Sequence, residues 1–232
     1  MRKNIDVHIK RLPLFLLLII SCLTLSSCFD LVEQIDMNHK GSGTIKATLN
    51  LSKSRTKVAS LLKMKQFNGI DIPSETSIKQ EMGKIVRTLK STQGISNVQY
   101  NLDFNNYIAT LSCSFEHIQA LNDFSKALSG QFKTPITSYN SYRYNRATKT
   151  FTRSYTYSPN LAKEFSKIPN DDKGLFAEAY YTNIIRFDKN IQSQSHKNAK
   201  ISANKQAVFL KVKATDLING STSLTNTITL VK

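Results

Sequence analysis

Apolar and polar residues alternate cleanly over Thr44–Leu51, where Ile45, Ala47, Leu49 and Leu51 fall on one side and polar residues between them. That is the period of a half-buried strand. The preceding Phe29–Asn38 places Ile35 and Met37 on one face, and Lys40-Gly41-Ser42-Gly43 supplies turn chemistry between the two runs. The pattern therefore predicts an opening hairpin. Residues 54–66, with Val58, Leu61, Leu62 and Met64, suit a helix. A longer helix begins at Pro73-Ser74-Glu75 and carries Ile78, Met82, Ile85, Val86 and Leu89 at helical spacing, with Gly94 as its stop. Val98–Phe104 and Tyr107–Phe115 alternate as two strands around Asn105-Asn106.

Glu116–Ser129 reads as a third helix, with Gly130 after it, and Tyr139–Tyr157 as a hairpin turning near Arg146-Ala147-Thr148. Ser158-Pro159 starts a short helix to about Ile168. Tyr180–Phe187, Ala207–Val212 and Leu224–Val231 complete the strands, with Asn219-Gly220 turning between the last two. Strand pairs alternate with helices without regular βαβ spacing. The expectation is an α+β fold: a mainly antiparallel sheet built from hairpins, with about four helices packed on one face. The polar loop Pro169–Gly174 is the candidate sub-boundary in what otherwise reads as one domain, 28–232.

The N-terminus breaks this pattern. Residues 1–11 are basic, 12–20 are apolar, and Ser21, Thr24, Ser26 and Ser27 dilute the far end. A spanning helix needs about 20 apolar residues, so residues 1–27 read as a signal sequence. Leu25-Ser26-Ser27-Cys28 has the form of a bacterial lipobox, in which the cysteine thiol takes a diacylglyceryl group and small residues before it admit the peptidase. Ile19-Ile20-Ser21-Cys22 fits less well because of the bulky Ile20. Cys28 is the expected lipid attachment site. The first strand follows almost at once, and a linker of n residues spans only about 5–6 Å × √n. The domain is therefore expected to lie against the membrane.

Charge sharpens that expectation. The 232 residues carry 32 Lys+Arg against 16 Asp+Glu, a net +16, and loss of residues 1–27 would leave +13. Such a balance favours anionic surroundings or a simply solvated lysine-rich surface, and the basic residues are spread along the chain. Of the three cysteines only Cys113 would remain as a free thiol, on the apolar side of a strand, so no disulfide framework is expected.

Three blocks carry a resemblance. They are Cys28 followed by Glu33–Asn38 and Lys40–Gly43 and a strand ending Leu49-Asn50-Leu51-Ser52; Gly94-Ile95 leading into a strand pair; and Tyr180–Phe187 followed by Ala199–Asn204 and a strand from Ala207. In these the chain resembles uncharacterised lipoprotein families common in Bacteroidota, with looser similarity to LppM-type lipoprotein domains. It departs from them at Lys40, where an Asp is usual, and at Asp188, where Pro often stands. The resemblance implies a lipid-anchored envelope domain, by default on the outer membrane and facing the periplasm. It carries over no catalytic residue.

Catalytic motifs do not emerge. His39, His117 and His196 lie in no metal-ligand spacing, and P-loop, nucleophile-elbow and dinucleotide signatures are absent. His39 reads as a turn residue, His117 as a helix-start residue, Asp171-Asp172 as a solvated turn, and Glu33 and Asp36 as lying on opposite faces of a strand. No enzyme activity, metal or cofactor is expected. The candidate binding surface is the hairpin YNSYRYNRATKTFTRSYTY, with Tyr142, Tyr144, Arg146, Arg153, Tyr155 and Tyr157. Aromatic faces beside cations stack on sugar rings or headgroups, while the same rings equally serve to pack a sheet. Nucleic acid is not expected as a partner. The sequence supports a non-enzymatic envelope lipoprotein binding an anionic headgroup, glycan or envelope protein; an assembly subunit or adaptor is the alternative, and an unrecognised hydrolase a third.

Overall fold

The computed structural model describes residues 29–67, 70–129 and 140–232. Residues 1–27, expected to be a signal sequence, the expected lipid attachment site Cys28, and Gly130 lie outside the described residues. The rest forms an α+β fold of thirteen strands, among them a seven-stranded mixed sheet and a four-stranded antiparallel sheet, with four helices of seven residues or more.

The large sheet is built on the opening hairpin, β1 (Asp30–Met37) and β2 (Gly43–Asn50), paired through eight residues from Asp30↔Asn50 to Met37↔Gly43. Gly41 makes the turn with φ of +88°, a conformation open to glycine at little cost. A β-carbon at Gly43 would overlap the carbonyl oxygen of Asp36 across the hairpin, so only glycine lets the strands close there. β2 pairs with β6 (Ile108–Phe115), and β6 with the edge strand β5 (Ile95–Asp103). On its other side β1 pairs with β9 (Tyr180–Phe187), in parallel, from Asp30↔Tyr180 to Met37↔Phe187. The late strands β12 (Ala207–Lys213) and β11 (Lys200–Ile201) complete that side. The small sheet runs β10 (Ile191–Gln194), β13 (Asn226–Leu230), β8 (Thr150–Tyr155), β7 (Asn140–Asn145). A two-residue pair, β3 (Gln66–Phe67) and β4 (Ile70–Asp71), stands apart.

Helices cover what the small sheet leaves open. α1 (Arg55–Leu61) follows a 3-10 turn at Ser52–Ser54 and ends earlier than its apolar spacing predicts, because the chain turns into β3. α2 (Glu75–Lys90) starts as expected, with Ser74 Oγ accepting from the Ser77 N–H at 3.1 Å. It buries Ile85, Val86 and Leu89. α3 (Ile118–Ser129) is capped by His117, whose Nδ1 accepts from the Ala120 N–H at 3.2 Å. Leu121 and Phe124 of α3 are fully enclosed, each stabilising the fold by about 1.5–3 kcal/mol. α3 also braces the edge of the small sheet: the Asn122 side chain donates to the Tyr142 carbonyl at 3.1 Å and accepts its N–H at 2.7 Å. α4 (Pro159–Ser166), α5 (Asn170–Lys173) and α6 (Ala214–Ile218) lie later in the chain. α5 occupies the segment expected to be a loop, and α6 joins β12 to the Asn219-Gly220 turn.

One apolar cluster runs from Ile35 to Leu230 through both sheets, α2 and α3. Phe151 of β8 bridges the sheets, edge-on to Phe187 at 5.8 Å and tilted against Tyr142 at 5.9 Å. Cys113 belongs to this cluster, and burial pushes its thiol pKa up to about 12, so it is an apolar packing residue.

Candidate functional site

The sequence-predicted tyrosine hairpin does form, but its residues separate into three environments. Tyr142 and Arg153 are cross-strand partners on β7 and β8, and each is only 1% exposed. They face Glu33, which alternation places on the inner side of β1 with Ile35 and Met37. One Glu33 carboxylate oxygen accepts from the Tyr142 hydroxyl at 3.0 Å and from Asn183 Nδ2 at 2.9 Å, and lies 3.3 Å from Arg153 Nη1. Arg153 Nη2 donates to the Tyr181 hydroxyl at 2.6 Å, and its guanidinium lies over the Tyr142 and Tyr181 rings at 5.7 and 5.3 Å. Burial, the largest single influence, would lower the Arg153 pKa; the Glu33 carboxylate together with Tyr142 and Tyr181 outweighs it, and the net shift is upward. Burial likewise raises Tyr142 and Tyr181, so both phenols stay protonated. This network joins the sheets and withdraws Tyr142 and Arg153 from any binding surface. The sequence could not show that the face shared by Arg153 and Phe151 turns inward.

Tyr144 forms the second environment. Its hydroxyl donates to the His39 carbonyl at 3.1 Å, and its ring lies against Gly41. It thus holds the β1–β2 turn, while Arg146 stands exposed at the β7–β8 turn. His39 Nδ1 contacts Asp188 Oδ2 at 2.6 Å, both side chains being about two-fifths exposed. Asp36 faces out toward Arg186 at 3.3 Å, on the face opposite Glu33 as its spacing predicts. Among the described residues, no three His, Cys, Asp or Glu side chains are placed to hold a metal.

Tyr155 and Tyr157 form the third. They line a cleft of about 540 Å³ whose other walls are residues 195–197, residues 220–223 and Thr225. Tyr157 donates to the Ile218 carbonyl at 3.1 Å, and its ring packs on Gly220, where a β-carbon would come within 2.9 Å. Gly220 has a φ of +71°. The Tyr155 N–H donates to Thr225 Oγ1 at 3.1 Å. Buried His196 ties the two far walls together: Nδ1 accepts from the Asn198 N–H at 3.1 Å, leaving Nε2 to donate to the Ser223 carbonyl at 2.9 Å. Asn226 Oδ1 accepts from the Ser195 and His196 N–H groups at 3.0 and 3.1 Å. The sequence reading missed this loop; the only local signal was the polar run SQSHKN, and topology alone brings it to the tyrosines.

A separate feature lies at the end of the large sheet where β1 begins. The registers align Asp103, Ile108, Asn50, Asp30, Tyr180 and Lys213 as one terminal row. α1 leaves from this row. Residues 51–67 hold Lys53, Arg55, Lys57, Lys63 and Lys65 and no acidic residue, an imbalance hidden by the overall scatter of lysines, and all five are exposed. Beside them an apolar pocket of about 130 Å³ is lined by Leu49, Leu51, Val58, Leu62, Ile78 and Phe104 among others. Met64 is 45% exposed. On the other side of Asp30, Phe29 packs edge-on to Phe176 at 5.5 Å, and Phe176 to Phe165 at 5.2 Å.

No family model matches the chain, and no curated protein matches it. Among solved structures, the folded domain of Mycobacterium tuberculosis LppM, determined by NMR, is similar at a TM-score of 0.44 and 11% identity, covering 87% of this chain and 88% of that one. Among the described residues, no helix is long and apolar enough to cross a membrane.

Proposed function

We propose that the protein is a non-enzymatic, lipid-anchored envelope domain that lies on a membrane through the end of the large sheet where β1 begins. The observation that carries this reading is the terminal row. β1 starts at Asp30, two residues beyond the candidate acylation site Cys28, and the same row leads into an exposed segment with five basic and no acidic residues. A tether that short reaches only about 8 Å. A cationic segment beside apolar side chains complements a lipid anchor, because basic residues next to an anionic surface draw the tethered domain down onto the lipid. An outer-membrane, periplasm-facing position, with acyl chains on Cys28, completes the proposal.

Vesicle flotation tests it. Unacylated protein carrying Cys28→Ala and beginning at residue 28 should float with phosphatidylglycerol vesicles and be released by added salt. Lys53→Glu/Arg55→Glu/Lys57→Glu should lower that binding at least tenfold, since each basic residue near an anionic surface contributes about 1 kcal/mol. Equal binding to neutral phosphatidylcholine vesicles would sink the reading.

A further inference from the structure

We infer that the cleft between Tyr155, Tyr157 and the His196 loop is a saccharide site, selective for a sugar ring bearing an acidic group. Two phenol rings supply apolar faces. A pyranose presents a patch of C–H bonds on its own face, and positive C–H edges lie favourably on the negative face of an aromatic ring. Around the rings stand hydroxyl side chains, Ser195, Ser221, Thr222, Ser223 and Thr225. Ser195, Ser221, Ser223 and Thr225 already bond within the protein, but a hydroxyl oxygen has two acceptor lone pairs, so each keeps an acceptor position for a ligand hydroxyl.

Charge narrows the class. Lys197 is exposed at the wall, and among the described residues no Asp or Glu lines the cleft. A neutral ring would leave the ammonium unused; a carboxylate, sulfonate or phosphate on the ring would meet it. Size agrees, since ligand pockets begin at about 300 Å³ and this cleft of about 540 Å³ admits one or two rings. The apolar pocket beside α1, at about 130 Å³, is too small and too uniformly aliphatic for this role.

The cleft is also held in shape before any ligand arrives. Tyr157 is fixed at both ends, by its bond to Ile218 and by Gly220 beneath its ring. The two polar walls belong to distant stretches of the chain, and His196 joins them through its Nε2 bond to the Ser223 carbonyl, while Nδ1 braces its own loop at Asn198. A site already ordered loses little conformational freedom on binding. None of its residues takes part in the Glu33–Arg153 network, and the inference stands whether or not α1 meets a membrane. The acidic sugar could reach the cleft as a free glycan or on a lipid.

The full chain, held in the sugar-free detergent lauryldimethylamine oxide, separates these cases by saturation-transfer NMR. Glucose and glucuronic acid are the soluble probes, and glucuronosyl diacylglycerol in phosphatidylcholine vesicles is the lipid-borne one. Irradiating tyrosine protons should transfer saturation to glucuronic acid ring protons, with affinity at least fivefold above that for glucose. Lys197→Ala should erase that preference and keep the weaker sugar signal. Tyr157→Ala should abolish both. Ser221→Trp, at an exposed rim position, should block the cleft in a protein that still unfolds at the wild-type temperature. Signal from vesicles alone would assign a lipid-borne sugar, and equal signal from the free acid a soluble glycan. No transfer to any probe, or transfer unchanged in both Tyr157→Ala and Ser221→Trp, would overturn the inference.

Discussion

Arg153 sets the tightest constraint at the scale of single residues. It is 1% exposed, and its charge is tolerated because Glu33 lies 3.3 Å away while Tyr181 accepts from the other guanidinium nitrogen. Glu33→Gln would preserve shape and an acceptor oxygen for Tyr142 and Asn183 but leave the guanidinium uncompensated. Removing one partner of a buried pair typically costs about 3–5 kcal/mol, whereas replacing both with apolar residues of similar volume is often neutral or better. Urea denaturation should therefore show Glu33→Gln losing about 3–5 kcal/mol and the double change Glu33→Leu/Arg153→Met losing less than the single one. A single-variant loss under about 1 kcal/mol would mean that the carboxylate charge does not hold Arg153 in place. This role also explains why the arginine of a tyrosine-rich hairpin, the feature that most suggested a binding platform, serves instead to join two sheets.

At the scale of elements, the opening hairpin is the least negotiable piece. A β-carbon at Gly43 would strike the backbone of Asp36, and the backbone can move only by breaking the Met37↔Gly43 pair, where β1 ends and β2 begins. Overpacking of this kind costs about 1–3 kcal/mol. Gly43→Ala should lose that much in thermal or urea unfolding. Gly174→Ala, where a β-carbon meets nothing within 4 Å, should stay within about 0.5 kcal/mol; equal effects would show that the hairpin yields. The elements read well from sequence wherever one face was buried and the other wet. β1, β6, α2 and α3 match their periodicity, as does β2 up to Ala47, beyond which Leu49 is exposed; Cys113 sits in the core, and His117 caps its helix. What escaped were pieces too short to show a period: β3, β4, β10, β11, α5 and α6. The site was half legible. Tyr155 and Tyr157 were named, but His196 and the wall of residues 220–223 and Thr225 join them only through the β13–β8 pairing, and local pattern carries no information about which strands become neighbours.

At the scale of the whole molecule, the parallel contact between β1 and β9 decides how the chain holds together. The polar stretch Pro169–Gly174 has the composition of a boundary, yet the strand that follows it lies against the first strand of the domain through eight residue pairs. β9 stands between β12 and β1, and β13 stands between β10 and β8. Both sheets therefore mix early and late strands, and a single apolar cluster spans them. A cut at 174 would expose the long edge of β1, strip β8 of its inner neighbour, and remove Tyr181 and Asn183 from around Arg153 and Glu33. The charge pair would then sit in a half-built interior with too few hydrogen-bond partners to offset its desolvation. The intact domain should unfold in one transition, with far-ultraviolet and tyrosine near-ultraviolet circular dichroism losing signal at the same urea concentration. A chain ended at residue 174 should show no cooperative transition and no near-ultraviolet signal. A truncated chain that kept both would establish two independent folding units, and the β1–β9 pairing would then be a docking contact between them.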